Sequence, residues 1–186
     1  MAAAGVAVTR VVRRCHEGQR SQNLDLSACT LKSFPDAVYF LLRNTRLLSC
    51  MLEQNQITKI PPKFFFNFNA LTVLNLRSNR LTSLPDEVSR IGDLRILDIS
   101  ANRFTDFPHV VIHMPKIQVV LAQENEITEV DTADLKSASR SLKQINLQKN
   151  PLSRQTHFQL ERLTNERALT FDVSCSPYIE NFADVD

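Results

Sequence analysis

The stretch LTVLNLRSNRLTSLP, residues 71–85, writes neither a plain strand nor an amphipathic helix. Leu74 and Leu76 alternate as strand residues do, Asn79 interrupts them, and Leu81 and Leu84 resume at a wider spacing. The code recurs. Asn55, Asn79, Asn102, Asn125 and Asn150 follow one another at steps of 24, 23, 23 and 25 residues, and Cys29 holds the same place 26 residues before Asn55. Before each marker stand apolar residues at fixed offsets: Leu47, Cys50 and Leu52, then Leu71, Leu74 and Leu76, then Leu94, Leu97 and Ile99. Ile117, Val120 and Ala122, and then Leu142, Ile145 and Leu147, continue the series. The first unit has Leu24 and Leu26 but Ser21 at the leading position. After the markers come pairs such as Ile57 and Ile60 or Phe104 and Phe107, and Pro35, Pro61, Pro85 and Pro108 close four of the units.

This pattern resembles the leucine-rich repeat, LxxLxLxxNxLxxLP, with six tandem units over about residues 21–152. Ala168, Phe171 and Val173 keep the offsets of a seventh vestige. The chain is most similar to small intracellular proteins built almost wholly of such repeats, and that resemblance implies an interaction module without catalytic residues. The expected fold is an α/β solenoid: a short parallel concave sheet, a helical or 3₁₀ convex side and a helical N-terminal cap. One domain should fill residues 1–186, with the cap over 2–20, six repeats over 21–152, a C-terminal cap over 153–175 and an acidic tail over 176–186.

The asparagines have a physical reason. Their amides both donate and accept, so Asn55, Asn79, Asn102, Asn125 and Asn150 can satisfy backbone groups between coils that would otherwise be buried unpaired. Cys29 cannot do this equally well. Return limbs 85–94 and 108–117 are short enough for about one helical or 3₁₀ turn, whereas 131–142 opens with Asp131 or Thr132 as N-cap, and 35–48 has room for a real helix. Phe64, Phe65, Phe66 and Phe68 read as bulk for the broad convex side; an aromatic ligand pocket is the rival reading.

A solenoid exposes apolar ends, so both need covers. Ala4, Val8, Val11 and Cys15 share one helical face, which predicts a capping helix from residue 2 to about residue 17; an arginine-bearing mitochondrial transit peptide is the alternative. Phe158, Leu160 and Leu163 predict a closing helix from Thr156 to about Leu163. Glu180, Asp184 and Asp186 make the tail beyond Ser176 a solvated acidic segment.

Composition bounds the function. The 186 residues are 43% hydrophobic with a net charge of +2, enough for one core and no strong pull toward nucleic acid or anionic membrane. No apolar run approaches a membrane span, and no signal peptide is expected. Cys15, Cys29, Cys50 and Cys175 form no CxxC pair and read as reduced thiols of a cytoplasmic protein, with the nucleus as an alternative and the mitochondrion less favoured. His109 and His113 lack further zinc ligands and read as exposed return-limb residues; three glycines build no phosphate loop, and GxSxG is absent. No enzyme, cofactor, metal or small-molecule substrate is expected.

Function then falls to the outward strand positions. Met51, Glu53, Asn75, Arg77, Asp98, Leu121, Gln123 and Asn146 are the expected docking residues, with Met51 and Leu121 as apolar anchors in a polar rim. Val73, Ile96 and Val119 should form an apolar column, serving either binding or half-buried packing. The expected partner is a protein or peptide lying across coils two to five of a monomer. An RNA-associated repeat protein is the alternative; it wants a continuous basic stripe with stacking aromatics, and neither is read in the sequence.

Overall fold

The computed structural model describes the backbone of residues 2–166 and 170–173, and the side chains of residues 8–164 and 170–173. Ala4 of the expected helical face, Ala168 of the seventh vestige, Cys175 and the tail acids Glu180, Asp184 and Asp186 lie outside the described side chains.

Each repeat begins with a strand only three residues long. These are β1 (Asn23–Asp25), β2 (Ser49–Met51), β3 (Val73–Asn75), β4 (Ile96–Asp98), β5 (Val119–Leu121), β6 (Gln144–Asn146) and β7 (Thr170–Asp172). They form one parallel sheet in chain order. Its register is uniform: Leu24, Cys50, Leu74, Leu97, Val120, Ile145 and Phe171 are successive partners along the inner face. All seven are buried, so the alternation of the repeat becomes a continuous apolar seam. The vestigial seventh unit thus supplies a full strand.

Helices and turns return the chain on the opposite side. They comprise α1 (Ala2–Ser21), α2 (Asp36–Leu41), α3 (Pro62–Asn67), 3₁₀ turns at Asp86–Arg90 and His109–His113, α4 (Thr132–Ser137) and α5 (Arg154–Glu166). Residues 35–48, with room for a longer helix, spend only six residues on α2 before turning. Each proline stands just before its helical turn with φ near −72°, and its carbonyl accepts the N–H three residues on: Val38, Phe64, Val88 and Val111 at 2.9–3.1 Å. Proline's fixed φ suits that extended position. Where it is missing, Asp131 caps α4 instead, its carboxylate accepting from Ala133 N at 2.8 Å and Asp134 N at 3.0 Å.

Phe64, Phe65 and Phe68 are buried, and with Phe34 and Tyr39 they fill the convex side beside coils one and two. Phe34 meets Phe64 edge-on at 5.0 Å, and Tyr39 stacks on Phe68 at 5.7 Å. Packing accounts for these three phenylalanines. Phe66 is exposed instead, with the Arg90 guanidinium 4.3 Å above its ring.

Two features of the caps differ from the sequence reading. The buried face of α1 is Val11, Cys15 and Gly18, and Val8 is 64% exposed. Gly18 lies against β1, where an added Cβ would meet Leu24 Cα at 3.5 Å, an ordinary contact distance. One turn further out, the helix has overrun the first coil, which leaves Val8 uncovered. In α5 the buried face is Thr156, Leu160 and Leu163; Phe158 lies about half a turn away and is 67% exposed.

Candidate functional site

The side chains between the inward apolar residues make the outer face of the sheet. Register places them in columns. One runs Val73, Ile96, Val119 and a second Met51, Asn75, Asp98, Leu121, Asn146. Beyond the strands a third column carries Glu53, Arg77, Ser100 and Gln123.

What fixes this face is the asparagine ladder behind it. Each amide nitrogen donates to the carbonyl three residues before its own marker and to the equivalent carbonyl of the previous coil, at 2.9–3.0 Å. Each amide oxygen accepts the N–H of Leu31, Ile57, Leu81, Phe104 or Ile127 in the previous coil, at 2.9–3.1 Å. Asn55, Asn79, Asn102, Asn125 and Asn150 are all buried. One side chain therefore ties two coils together at both a donor and an acceptor. The residue before each marker adopts φ between 50° and 60°: Ala28, Gln54, Ser78, Ala101, Glu124 and Lys149. That left-handed turn aims the N–H of the first five at the next coil's carbonyl, at 2.9–3.0 Å. Sequence reasoning missed this row because none of the six is glycine.

In the first coil, arginine replaces the missing amide. Arg14 Nη1 donates to the Ser27 carbonyl at 2.6 Å and reaches Cys29 Sγ at 3.5 Å, while Arg10 donates to the Ala28 carbonyl at 3.3 Å. Burial works against the Asp25 carboxylate, but hydrogen bonds from Ser27 and the Arg14 charge prevail and hold it below its ordinary range.

Most of the polar central column is committed to its own turn. Asp25, Asn75, Asp98 and Asn146 each accept the N–H two residues ahead, at 2.8–3.0 Å. Asp98 is only 9% exposed and also accepts from Ser100 Oγ, so little of its carboxylate faces outward. Glu53 accepts from Asn75 Nδ2. Arg77 is exposed, and Met51, Leu121, Gln123 and Asn146 are half-buried. Met51 and Leu121 interrupt this polar column with side chains that bond to nothing and remain partly open.

The edge at which the strands begin is more basic than the sequence reading allowed. Arg46, Arg95, Lys116 and Lys143 are exposed there, against Asp93. Asp93 bonds Lys116 Nζ at 2.5 Å, and Lys116, with Arg46 and Arg95 behind it, holds the carboxyl below the usual carboxylate range. These residues are scattered in sequence and meet only when coils stack. On the return limbs, Asp106, Glu129, Asp131 and Asp134 surround a cleft of about 370 Å³ over Phe107 and Val130. His109 and His113 are exposed beside it, with His113 Nε2 2.8 Å from Asp134, and no group of three or more metal-ligating side chains occurs among the described residues.

The thiols sit in the core. Cys15, Cys29 and Cys50 are unpaired and buried; burial pushes the Cys15 thiol up to about 11 and that of Cys50 higher still. Among the described residues no helix is long and apolar enough to cross a membrane.

Residues 45–104 match the family model described as leucine rich repeat. The crystal structure of the leucine-rich repeat domain of APL1B superposes with a TM-score of 0.61 at 22% identity, covering 81% of this chain and 43% of that one. The fold is that of a leucine-rich repeat solenoid. The crystal structure of the TLR13–ssRNA13 complex aligns with a TM-score of 0.65 at 20% identity, over 81% of this chain and 21% of that one. In sequence, leucine-rich repeat-containing protein 20 of Mus musculus is 40% identical over 91 residues, 47% of this chain and 50% of that protein. Its Homo sapiens counterpart is 38% identical over 95 residues, 49% and 52% of the two chains. The chain spans about half the length of these curated relatives it matches.

Proposed function

We propose that this chain is a non-catalytic protein-interaction module that binds a protein or peptide on the concave face, across coils two to five. Met51 and Leu121 carry the reading. They are apolar, half-open and free of the turn-capping role that occupies Asn75, Asp98 and Asn146 in the same column. Arg77 and Gln123 stand beside them as a polar rim. An apolar anchor surrounded by groups that exclude water is how protein interfaces concentrate their binding energy. The rigid register lets the surface bind with little ordering cost.

Cytoplasmic residence and a monomeric state belong to the same reading; three buried, unpaired thiols support the first, and α1 over the first coil supports the second. The RNA-associated alternative has less behind it. Exposed Phe40 and Phe66 lie on return-limb helices, covered by Arg43 and Arg90, rather than on the sheet. The relative solved with single-stranded RNA shares the fold at 20% identity, which says nothing of ligand.

Proximity labelling in cells, repeated with Met51→Ser, Arg77→Ala and Leu121→Ser combined, tests the proposal. The partner set should shrink. An unchanged set with a folded triple variant sinks it.

A further inference from the structure

We propose that the strand-entry side of the concave sheet takes an acidic segment of a partner protein, seating one of its apolar residues on Val73, Ile96 and Val119. The inference rests on the concave face being the docking surface, and it names the chemistry that face selects.

Two observations coincide along this side. Val73, Ile96 and Val119 are direct register partners, and Ile96 is 38% exposed, so three coils present one aliphatic ridge. Beside the ridge, Arg95, Gln118 and Lys143 are successive rungs joined by backbone bonds of 2.8 and 2.9 Å. Arg46 and Lys116 flank them, and the one acid on this edge among the described residues, Asp93, is taken by Lys116. Complementary charge then selects an anionic partner and steers its approach.

Geometry narrows the ligand. Parallel strands lie about 4.8 Å apart, so the backbones of Arg95 and Lys143 are separated by roughly 10 Å. A peptide in the polyproline II conformation advances about 3.1 Å per residue with three residues per turn, so carboxylates three positions apart lie on one side and meet both cations while an apolar residue between them falls on the ridge. A nucleic-acid strand would need stacking rings at the ridge, and Val73, Ile96 and Val119 are aliphatic, with Ser49 and Gln144 on either side.

Panning phage-displayed random dodecapeptides against the full chain tests this. Enriched sequences should pair Asp or Glu at three-residue spacing beside Leu, Ile, Val or Met. An Arg95→Glu/Lys143→Glu variant should bind the best of them about tenfold more weakly and select Lys or Arg instead. Matching thermal midpoints show that the variant folds. The proposal falls if acids are not enriched, if the charge-reversed variant keeps the same preference, or if nothing exceeds the starting library. Acid-free peptides lost on Met51→Ser/Leu121→Ser leave the docking face standing and remove the acidic partner; peptides indifferent to both variants remove both. A fluorescein-labelled oligouridine that binds more tightly than the peptide, and is released by Arg95→Glu/Lys143→Glu, overturns the proposal in favour of RNA.

Discussion

Arg14 Nη1 donates to the Ser27 carbonyl at 2.6 Å, the bond that in the second coil runs from Asn55 Nδ2 to the Glu53 carbonyl at 3.2 Å. The guanidinium comes from the capping helix rather than from the repeat, yet it meets the acceptor at the same repeat position. Capping and repeat chemistry are therefore one network in the first coil.

That network makes Arg14→Ala destabilising by about 1–3 kcal/mol, through loss of charge-assisted bonds to a part-buried carbonyl. Cys29→Asn should restore part of the loss, because an amide at the marker position can reach the same carbonyls. Denaturant melts of the two single variants and the double variant give the coupling. Additive effects would show that Arg14 acts only as surface charge.

Asn102→Ala should be the costlier change. It leaves the interior Leu81 N–H without its acceptor and takes one of two amide donors from each of the Leu76 and Ile99 carbonyls, which keep Asn79 and Asn125. One stranded N–H at about 1–3 kcal/mol and two lost bonds at about 1 kcal/mol each put the loss at about 3–5 kcal/mol. The midpoint of urea unfolding reads it, and Asn102→Asp should not rescue, since a carboxylate offers no donor to the two carbonyls.

The repeat was legible because a solenoid confines its long-range contacts to neighbouring coils, so the spacing of Leu74, Leu76 and Asn79 already encodes the tertiary structure. The candidate site was legible by residue but not by environment. Asp98 and Asn146 read as outward-facing polar groups; that Asp98 turns its carboxylate onto Ser100 depends on a local turn that spacing does not report. Val8 and Phe158 fail for the opposite reason: they are apolar, but no coil lies opposite them. Gly18 marks where α1 touches β1 and carries no hydrophobic signal at all. The basic edge was hidden because Arg46, Arg95, Lys116 and Lys143 become neighbours only through stacking.

Ser78 has φ of 53°, in the region L-residues adopt at a cost of roughly 1–2 kcal/mol. Ser78→Gly removes the strain and loses some chain entropy, for a net gain of up to about 1 kcal/mol. Ser78→Val should lower stability, because a branched Cβ crowds that conformation further. Thermal midpoints moving in opposite directions would confirm the turn; equal losses for both would refute it.

The buried thiols give a pH-dependent prediction. With the Cys15 thiol near 11 and Cys50 above it, well under about one thiol in a thousand is ionised at neutral pH, and neither should react with Ellman's reagent while folded. Above about pH 8.5 the unfolded chain releases thiol protons that the folded chain keeps, so the folded state binds more protons and stability falls as pH rises through that window. In a Cys175→Ser background, the three buried thiols at 15, 29 and 50 should react with the reagent together only once denaturant unfolds the protein. Rapid labelling of the native protein at neutral pH would show that the seam between α1 and β2 opens readily, and that the first coil is less firmly capped than Arg14 and Gly18 make it.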